Sequence, residues 1–323
     1  MTVMAKELTR SSARSWRPVL GGIAVAAAFV WPFVSTNYGA SLVTEALIFA
    51  IVAMSLDLLM GYAGLVSFGH AAFFGVGSYA IVLLYARLGF DPLLGVALSI
   101  PIGAAVAAVV GFFCVRLGGV GFFMLTLAFA QLLFSIAVKW RWLTGGSDGV
   151  GGMPKPSLFG VSLDDPVALY LFVLCCFLFS YFLLRAVVRS QFGHALAGMR
   201  ENETRMRALG YRTGLLKLIA FSVAGAVAGF GGALHGLYNG FASPDALSFA
   251  LSGTILLMVV LGGAGTLIGP AIGAGVFLLL KHYVSSHTDH WYLVVGVLFI
   301  ACVMFFRRGL FGIFDRRTEG GAP

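Results

Sequence analysis

Polar side chains are scarce in this chain, and the few that interrupt its apolar stretches are where chemistry could be done. Ser67, His70 and Ser78 fall in one glycine-rich stretch, and Thr126 and Gln131 in another. Hydroxyl, imidazole and amide groups donate and accept hydrogen bonds, and burying them is costly unless protein or water satisfies them. Beside small residues that leave room, they suit a path for a zwitterionic or amide-bearing solute; the alternative is a set of satisfied contacts between helices. Glu45 and Asp57 lie toward opposite ends of a further stretch, where Asp57 is expected to face water. Ion coupling usually needs carboxylates or broken helices near a membrane midplane, and neither acid is central.

Other groupings are weaker. Gly145-Gly-Ser-Asp-Gly-Val-Gly-Gly152 has the glycines of a phosphate loop, but no Lys-Ser or Lys-Thr follows. It reads as an outer loop that contacts a partner or covers a path entrance, or as a plain connector. His282, His287 and His290 with Asp289 match no common zinc spacing, so ordinary loop polarity is expected and no metal site. Cys114, Cys175, Cys176 and Cys302 all sit in apolar runs and read as small buried hydrophobes. With no nucleophile–base pair or ligand cluster, nothing points to an enzyme.

The elements that must hold these residues are membrane spans. Apolar residues make up 59% of the 323 and charged ones 11%, less than half of what soluble domains carry. The apolar residues come in blocks of about 20, the length at which a helix crosses a bilayer. The reading is an all-α, polytopic integral membrane helical bundle of about ten spans, near 18–35, 43–60, 66–87, 92–115, 121–140, 166–187, 215–239, 247–263, 265–281 and 291–306. The 43 glycines imply close backbone packing, with Gly61, Gly64, Gly69, Gly75, Gly262 and Gly265 as packing positions. Segments 66–87 and 265–281 follow the glycine-rich breaks Gly61-Tyr-Ala-Gly64 and Gly262-Gly-Ala-Gly265, and either could be a broken or re-entrant helix. Residues 61–77 and 262–277 also echo each other, as an internal repeat or as two solutions to one packing problem.

Positive charge orients the bundle. With both termini cytoplasmic, only Arg87, Lys139, Arg141, Lys155 and Lys281 of the 21 lysines and arginines lie outside or near outer span ends. Trp140, Trp142 and Trp291 sit at those outer ends, where amphipathic aromatics favour the interface. The net charge of +8 is thereby a topology signal, and no nucleic-acid partner is implied. The division is a basic N-tail over 1–17, a transmembrane domain over 18–307 with an outer loop at 143–165, and a C-tail over 308–323.

One polar island remains. Arg200, Glu201, Glu203, Arg205, Arg207, Arg212 and Lys217 crowd between two spans. At a membrane centre each would cost about 2.5–3.5 kcal/mol, together on the order of 20, so 190–213 belongs in water on the cytoplasmic side. The spacing predicts one helix there. Glu201 with Arg205 and Glu203 with Arg207 are i,i+4 pairs; Leu196, Met199, Met206 and Leu209 form a narrow apolar stripe, and Gly210 stops the helix. A short amphipathic helix held between two spans suits docking into a groove on a soluble partner, or it lies on the membrane surface.

Glu203, Ala208 and Gly210, followed by Lys217, Phe221 and Ala224-Gly-Ala-Val-Ala-Gly229, resemble the coupling loop of ATP-binding-cassette importer permeases, and in particular the branched-chain amino acid permease family of the LivM type. The likeness continues in Gly61-Tyr-Ala-Gly-Leu-Val-Ser-Phe-Gly-His-Ala-Ala-Phe-Phe-Gly75, Gly121-Phe-Phe-Met-Leu-Thr-Leu-Ala-Phe-Ala-Gln131, Thr144-Gly-Gly-Ser-Asp-Gly149 and Gly262-Gly-Ala-Gly-Thr-Leu-Ile-Gly-Pro270, covering roughly residues 40 to 315. It departs at Arg205-Met206, where many members carry small residues. The resemblance implies a bacterial inner-membrane subunit paired with a second homologous permease, two ATP-binding subunits and a periplasmic substrate-binding protein. It implies no cofactor on this chain, ATP being used by the partners, and coupling through Arg200, Asn202, Glu203, Met206, Leu209 and Gly210. The implied cargo is branched-chain or other hydrophobic amino acids; urea, amides and aromatic acids are alternatives within the wider family, and an ion-coupled secondary transporter is the alternative outside it.

Overall fold

The computed structural model describes residues 28–32, 37–158, 161–287 and the single positions 293, 296 and 297. The chain runs through α1 (Asn37–Asp57), continued by a π turn over Leu58–Tyr62, then α2 (His70–Leu88), α3 (Pro92–Cys114) and α4 (Val120–Lys139). After α5 (Pro166–Arg189) come two short helices, α6 (Gln191–Glu201) and α7 (Glu203–Ala208). The long α8 (Thr213–Asn239), α9 (Phe249–Gly262) and α10 (Ile268–Ser285) complete it. Several starts are encoded locally. Asp91 and Asp165 cap α3 and α5 with proline following, and Ser248 caps α9.

Among the described residues, seven helices are long and apolar enough to cross a membrane; the 14-residue α9 is shorter. The fold is an all-α polytopic membrane bundle. Of the ten expected spans, 18–35 and 291–306 fall outside the described residues except for a helical stretch at 28–32 and isolated positions near the end. Two expectations are corrected. The segments suspected of being half-helices, α2 and α10, each have span length. The short one is α9, about 21 Å long against a hydrocarbon core of about 30 Å. Residues 63–69 are not helical, so the first glycine-rich break is a stretch of open chain.

The centre of the bundle is α8, which packs on α1, α2 and α3; α10 lies against α1 and α9, and α5 against α1. The α8 contacts are backbone-close. A Cβ at Gly77 would collide with the Gly229 carbonyl, and one at Gly232 with the Phe74 carbonyl. At one end of the bundle the strand Val150–Gly151 pairs antiparallel with Phe241–Ala242, so the 145–152 loop is pinned to the end of α8 and is no plain connector. The other end gathers α6, α7, the π turn of α1 and the α9–α10 connection.

Candidate functional site

The polar island is two helices, not one. Ser190 caps α6 by accepting from the Gly193 N–H. Asn202 then takes an extended conformation and caps α7 by accepting from the Arg205 N–H at 2.9 Å. The break moves Glu201 and Arg205 off a common face, and the expected pair between them does not form. Glu203 is paired twice, with Arg207 at 2.7 Å and with Lys217 of α8 at 2.7 Å. Burial pushes the Glu203 carboxyl up, but the hydrogen bonds from Lys217 and Arg207 outweigh it and hold the group below its ordinary value. Arg207 also donates from Nε to Thr213. The ending is a Schellman motif with Gly210 at φ +87°: the Gly210 N–H reaches Arg207 and the Tyr211 N–H reaches Met206.

Leu196, Met199 and Met206 are buried against the bundle, as a stripe should be. Leu209 is not; it is 67% exposed, and with Tyr211, Glu201 and Arg205 it forms the outward face. Arg200 turns the other way. Its guanidinium donates to the carbonyl of Gly61, and its aliphatic stem covers Gly64.

The two glycine breaks meet beside Arg200. A Cβ on Gly61 would strike the backbone of Gly265 and the carboxylate of Asp57. Asp57 is fully buried, contrary to the expected water-facing position, and accepts from the backbone N–H of Gly265 at 2.6 Å and of Leu267 at 2.9 Å. The remaining packing glycines also face other elements: Gly69 faces the Thr126 carbonyl, Gly75 Leu247, and Gly262 Gly269.

The polar residues of the apolar stretches divide. Ser67, His70, Ser78 and Thr126 are buried in the bundle, whereas Gln131 is exposed on α4 and does not join them inside this chain. His70 shares a 2.7 Å hydrogen bond with Ser55 of α1, and Thr126 donates to the Phe123 carbonyl while receiving the Phe68 N–H. Among the described residues, Ser67 Oγ, His70 Nδ1, Ser78 Oγ and Tyr79 Oη are buried without a protein partner. A narrow crevice between α2, α3, α4 and α8, too tight in this packing to admit a water molecule, is lined by Gly69, Phe73, Thr126 and Phe221. At the opposite end, Ser41, Thr44, Lys155, Tyr238 and Asn239 line a polar recess of about 300 Å³. Ser55 and Ser252, which accepts the Ala71 N–H, escaped sequence reading because a serine in a span usually bonds its own helix.

Of the other groupings, Cys175 is exposed on α5 and not buried as expected, while Cys114 is buried and Cys302 lies outside the described residues. His282 hydrogen-bonds Tyr38 and His287 the Tyr283 carbonyl; Asp289 and His290 are outside the described residues.

Comparisons with known proteins bear on this geometry. The family model for the branched-chain amino acid transport system permease component matches residues 38–303. The high-affinity branched-chain amino acid transport system permease protein LivM of Salmonella typhimurium is 29% identical over 311 residues, covering 88% of this chain and 72% of that protein. The probable LivM of Methanocaldococcus jannaschii is 24% identical over 294 residues, covering 78% and 83%. The autoinducer 2 import system permease LsrC of Escherichia coli is 25% identical over 194 residues, covering 56% and 54%. No solved structure matches.

Proposed function

Because this chain belongs to the family of branched-chain amino acid transport system permease components, we propose that it is the membrane-spanning permease of an ATP-driven importer for branched-chain or other hydrophobic amino acids. It acts with a second homologous permease, two ATP-binding subunits and a periplasmic substrate-binding protein, in a bacterial inner membrane with both termini cytoplasmic. The chain holds no cofactor and performs no hydrolysis; ATP is spent by the partners.

One observation carries this reading. The α6–α7 segment is anchored on its inner side by Glu203–Lys217, Arg207–Thr213 and Arg200–Gly61. On its outer side it presents Leu209 and Tyr211 beside Arg205 and Glu201. A segment fixed to the spans yet apolar and charged on its free face suits a soluble subunit that must push on it. Coupling is then linkage: ATP and solute each favour one of two packings of the bundle, and each thereby biases the other. Ser67, His70 and Ser78, buried with an unpartnered polar atom each, line the solute path in this reading together with Thr126 of the crevice, and the polar recess holding Lys155 lies on the periplasmic side.

Glu203→Arg places a third cation against Lys217 and Arg207 and unseats α7. Uptake of labelled leucine in vesicles supplied with ATP is expected to be abolished, with the protein still inserted and the ATP-binding subunits no longer copurifying. Uptake that survives this change, or that runs on an ion gradient without ATP, overturns the importer reading.

A further inference from the structure

Asp57 is the one buried carboxylate of the described spans, and the transport reading above makes no use of it. Its surroundings connect three elements far apart in sequence. The π turn that ends α1 leaves carbonyls without helical partners, and the start of α10 leaves N–H groups without them. A cation satisfies the first and an anion the second, in keeping with the helix dipole. Arg200 of α6 donates to Gly61 at the end of α1, and Asp57 of α1 accepts from Gly265 and Leu267 just ahead of α10. The Gly265 backbone also lies against Gly61 and close to the Arg200 guanidinium.

The connection that Asp57 holds is strained. Leu267 sits at φ +57°, the only non-glycine among the described residues with positive φ, and it follows Gly263 at +103° and Gly265 at +89°. A side-chain-bearing residue at positive φ is sterically disfavoured and persists only when its surroundings impose it. The Asp57 oxygen that receives the Leu267 N–H is such an imposition. The strained connection and the α6 segment are therefore both held to the end of α1, the first through Asp57 and the second through Gly61.

We infer that Asp57 and Arg200 are positioning residues that form an internal strut, carrying a displacement of the α6–α7 segment to both glycine breaks at once. This deepens the importer reading and rests on it. When the ATP-binding subunits draw α6 away, Arg200 leaves the Gly61 carbonyl, the end of α1 relaxes, and Asp57 shifts against the Gly265 and Leu267 amides. The two breaks thus move together rather than separately.

The test uses the complete importer reconstituted in lipid vesicles, with hydrogen–deuterium exchange read over residues 261–269. In the wild-type complex, exchange there is expected to change several-fold between the nucleotide-free state and a non-hydrolysable ATP analogue. Asp57→Asn keeps the volume but turns an NH2 toward one of two N–H donors. Exchange in this variant is expected to be high and equal in both states, and ATP-driven uptake of labelled leucine at least tenfold lower, while the ATP-binding subunits still copurify. If Asp57→Asn does not accumulate, Arg200→Lys serves instead: it keeps the charge and loses the planar fork, and the nucleotide response at 261–269 should shrink while the wild-type protection of Leu267 is retained. Two results overturn the strut: an active wild-type complex whose exchange at 261–269 ignores nucleotide, or an Asp57→Asn complex that transports as wild type does. A wild-type chain that captures no ATP-binding subunit overturns the importer reading itself, and the strut with it.

Discussion

Helices α8 and α4 are both apolar enough to cross a membrane, yet they occupy opposite situations in the bundle. More than half of the apolar window of α8 is buried inside the protein, 56%, against 22% for α4. Hydropathy does not explain the contrast, since α4 is the greasier, at 2.1 against 1.7. Lipid tails are as apolar as leucine, so hydrophobicity decides that a helix inserts and leaves open what it packs on. Small residues decide the second question. Gly225, Gly229, Gly231 and Gly232 let α8 touch the backbones or side chains of α1, α2 and α3, whereas α4 shows Val120, Met124, Leu132 and Ile136 to the outside.

The comparison breaks most sharply at Gly232. A leucine there would be driven into the Phe74 backbone, where nothing flexible can yield. Overpacking ordinarily costs about 1–3 kcal/mol, and a clash with helix backbone exceeds that range. Gly232→Leu is expected to abolish the folded, monodisperse protein in detergent, as read by fluorescence-detected gel filtration. A folded peak at wild-type height would show that backbone contact on α8 is dispensable.

A smaller effect is expected at the base of α8. Lys217 is buried and its partner Glu203 keeps Arg207, so Lys217→Met removes one of two charged hydrogen bonds. The cost is about 1–3 kcal/mol, read as a fall of a few degrees in the melting midpoint at neutral pH. The sign with pH follows from the depressed Glu203 carboxyl. Its contribution is complete above the ordinary glutamate range, about 4.3, and is lost as pH falls through the lower folded value. Wild type is therefore expected to lose stability on acidification through that window. Lys217→Met, with less to lose, should show a shallower slope; an equal or steeper one would mean that Lys217 does not hold Glu203.

Much of this division was legible beforehand. Spans near 92–115, 121–140, 166–187 and 215–239 emerge within a few residues because long apolar runs have no other use, and the Gly210 stop follows from its need for positive φ. What escaped depended on distance or direction. Asp57 reads as water-facing because it ends a span; only its contacts with amides 208 and 210 residues away reveal a buried anchor. The segment from 190 to 210 reads as one helix when its charge pairs are counted, but Asn202 prefers to cap, and that local choice wins. Leu209 follows: once the helix is broken, its position in a continuous stripe no longer points it inward.

Gln131 is the least consequential substitution and the one that sharpens the contrast most finely. In a soluble protein a polar residue on an otherwise apolar helix marks the outside; in a membrane the expectation reverses, and an amide is sought in the interior. Here α4 turns Gln131 outward, while Thr126 and Ala130 on the neighbouring turn are buried. Gln131→Leu therefore removes no side-chain hydrogen bond seen within the described chain, and the stability of the isolated permease should stay within about 0.5 kcal/mol of wild type, the range of an uninvolved surface position. The same substitution in the assembled transporter is a separate measurement. An unchanged yield of complex would place this flank of α4 in lipid, where an amide is merely tolerated. A fall in copurified second permease with the isolated chain unaffected would instead place it at the seam between the two.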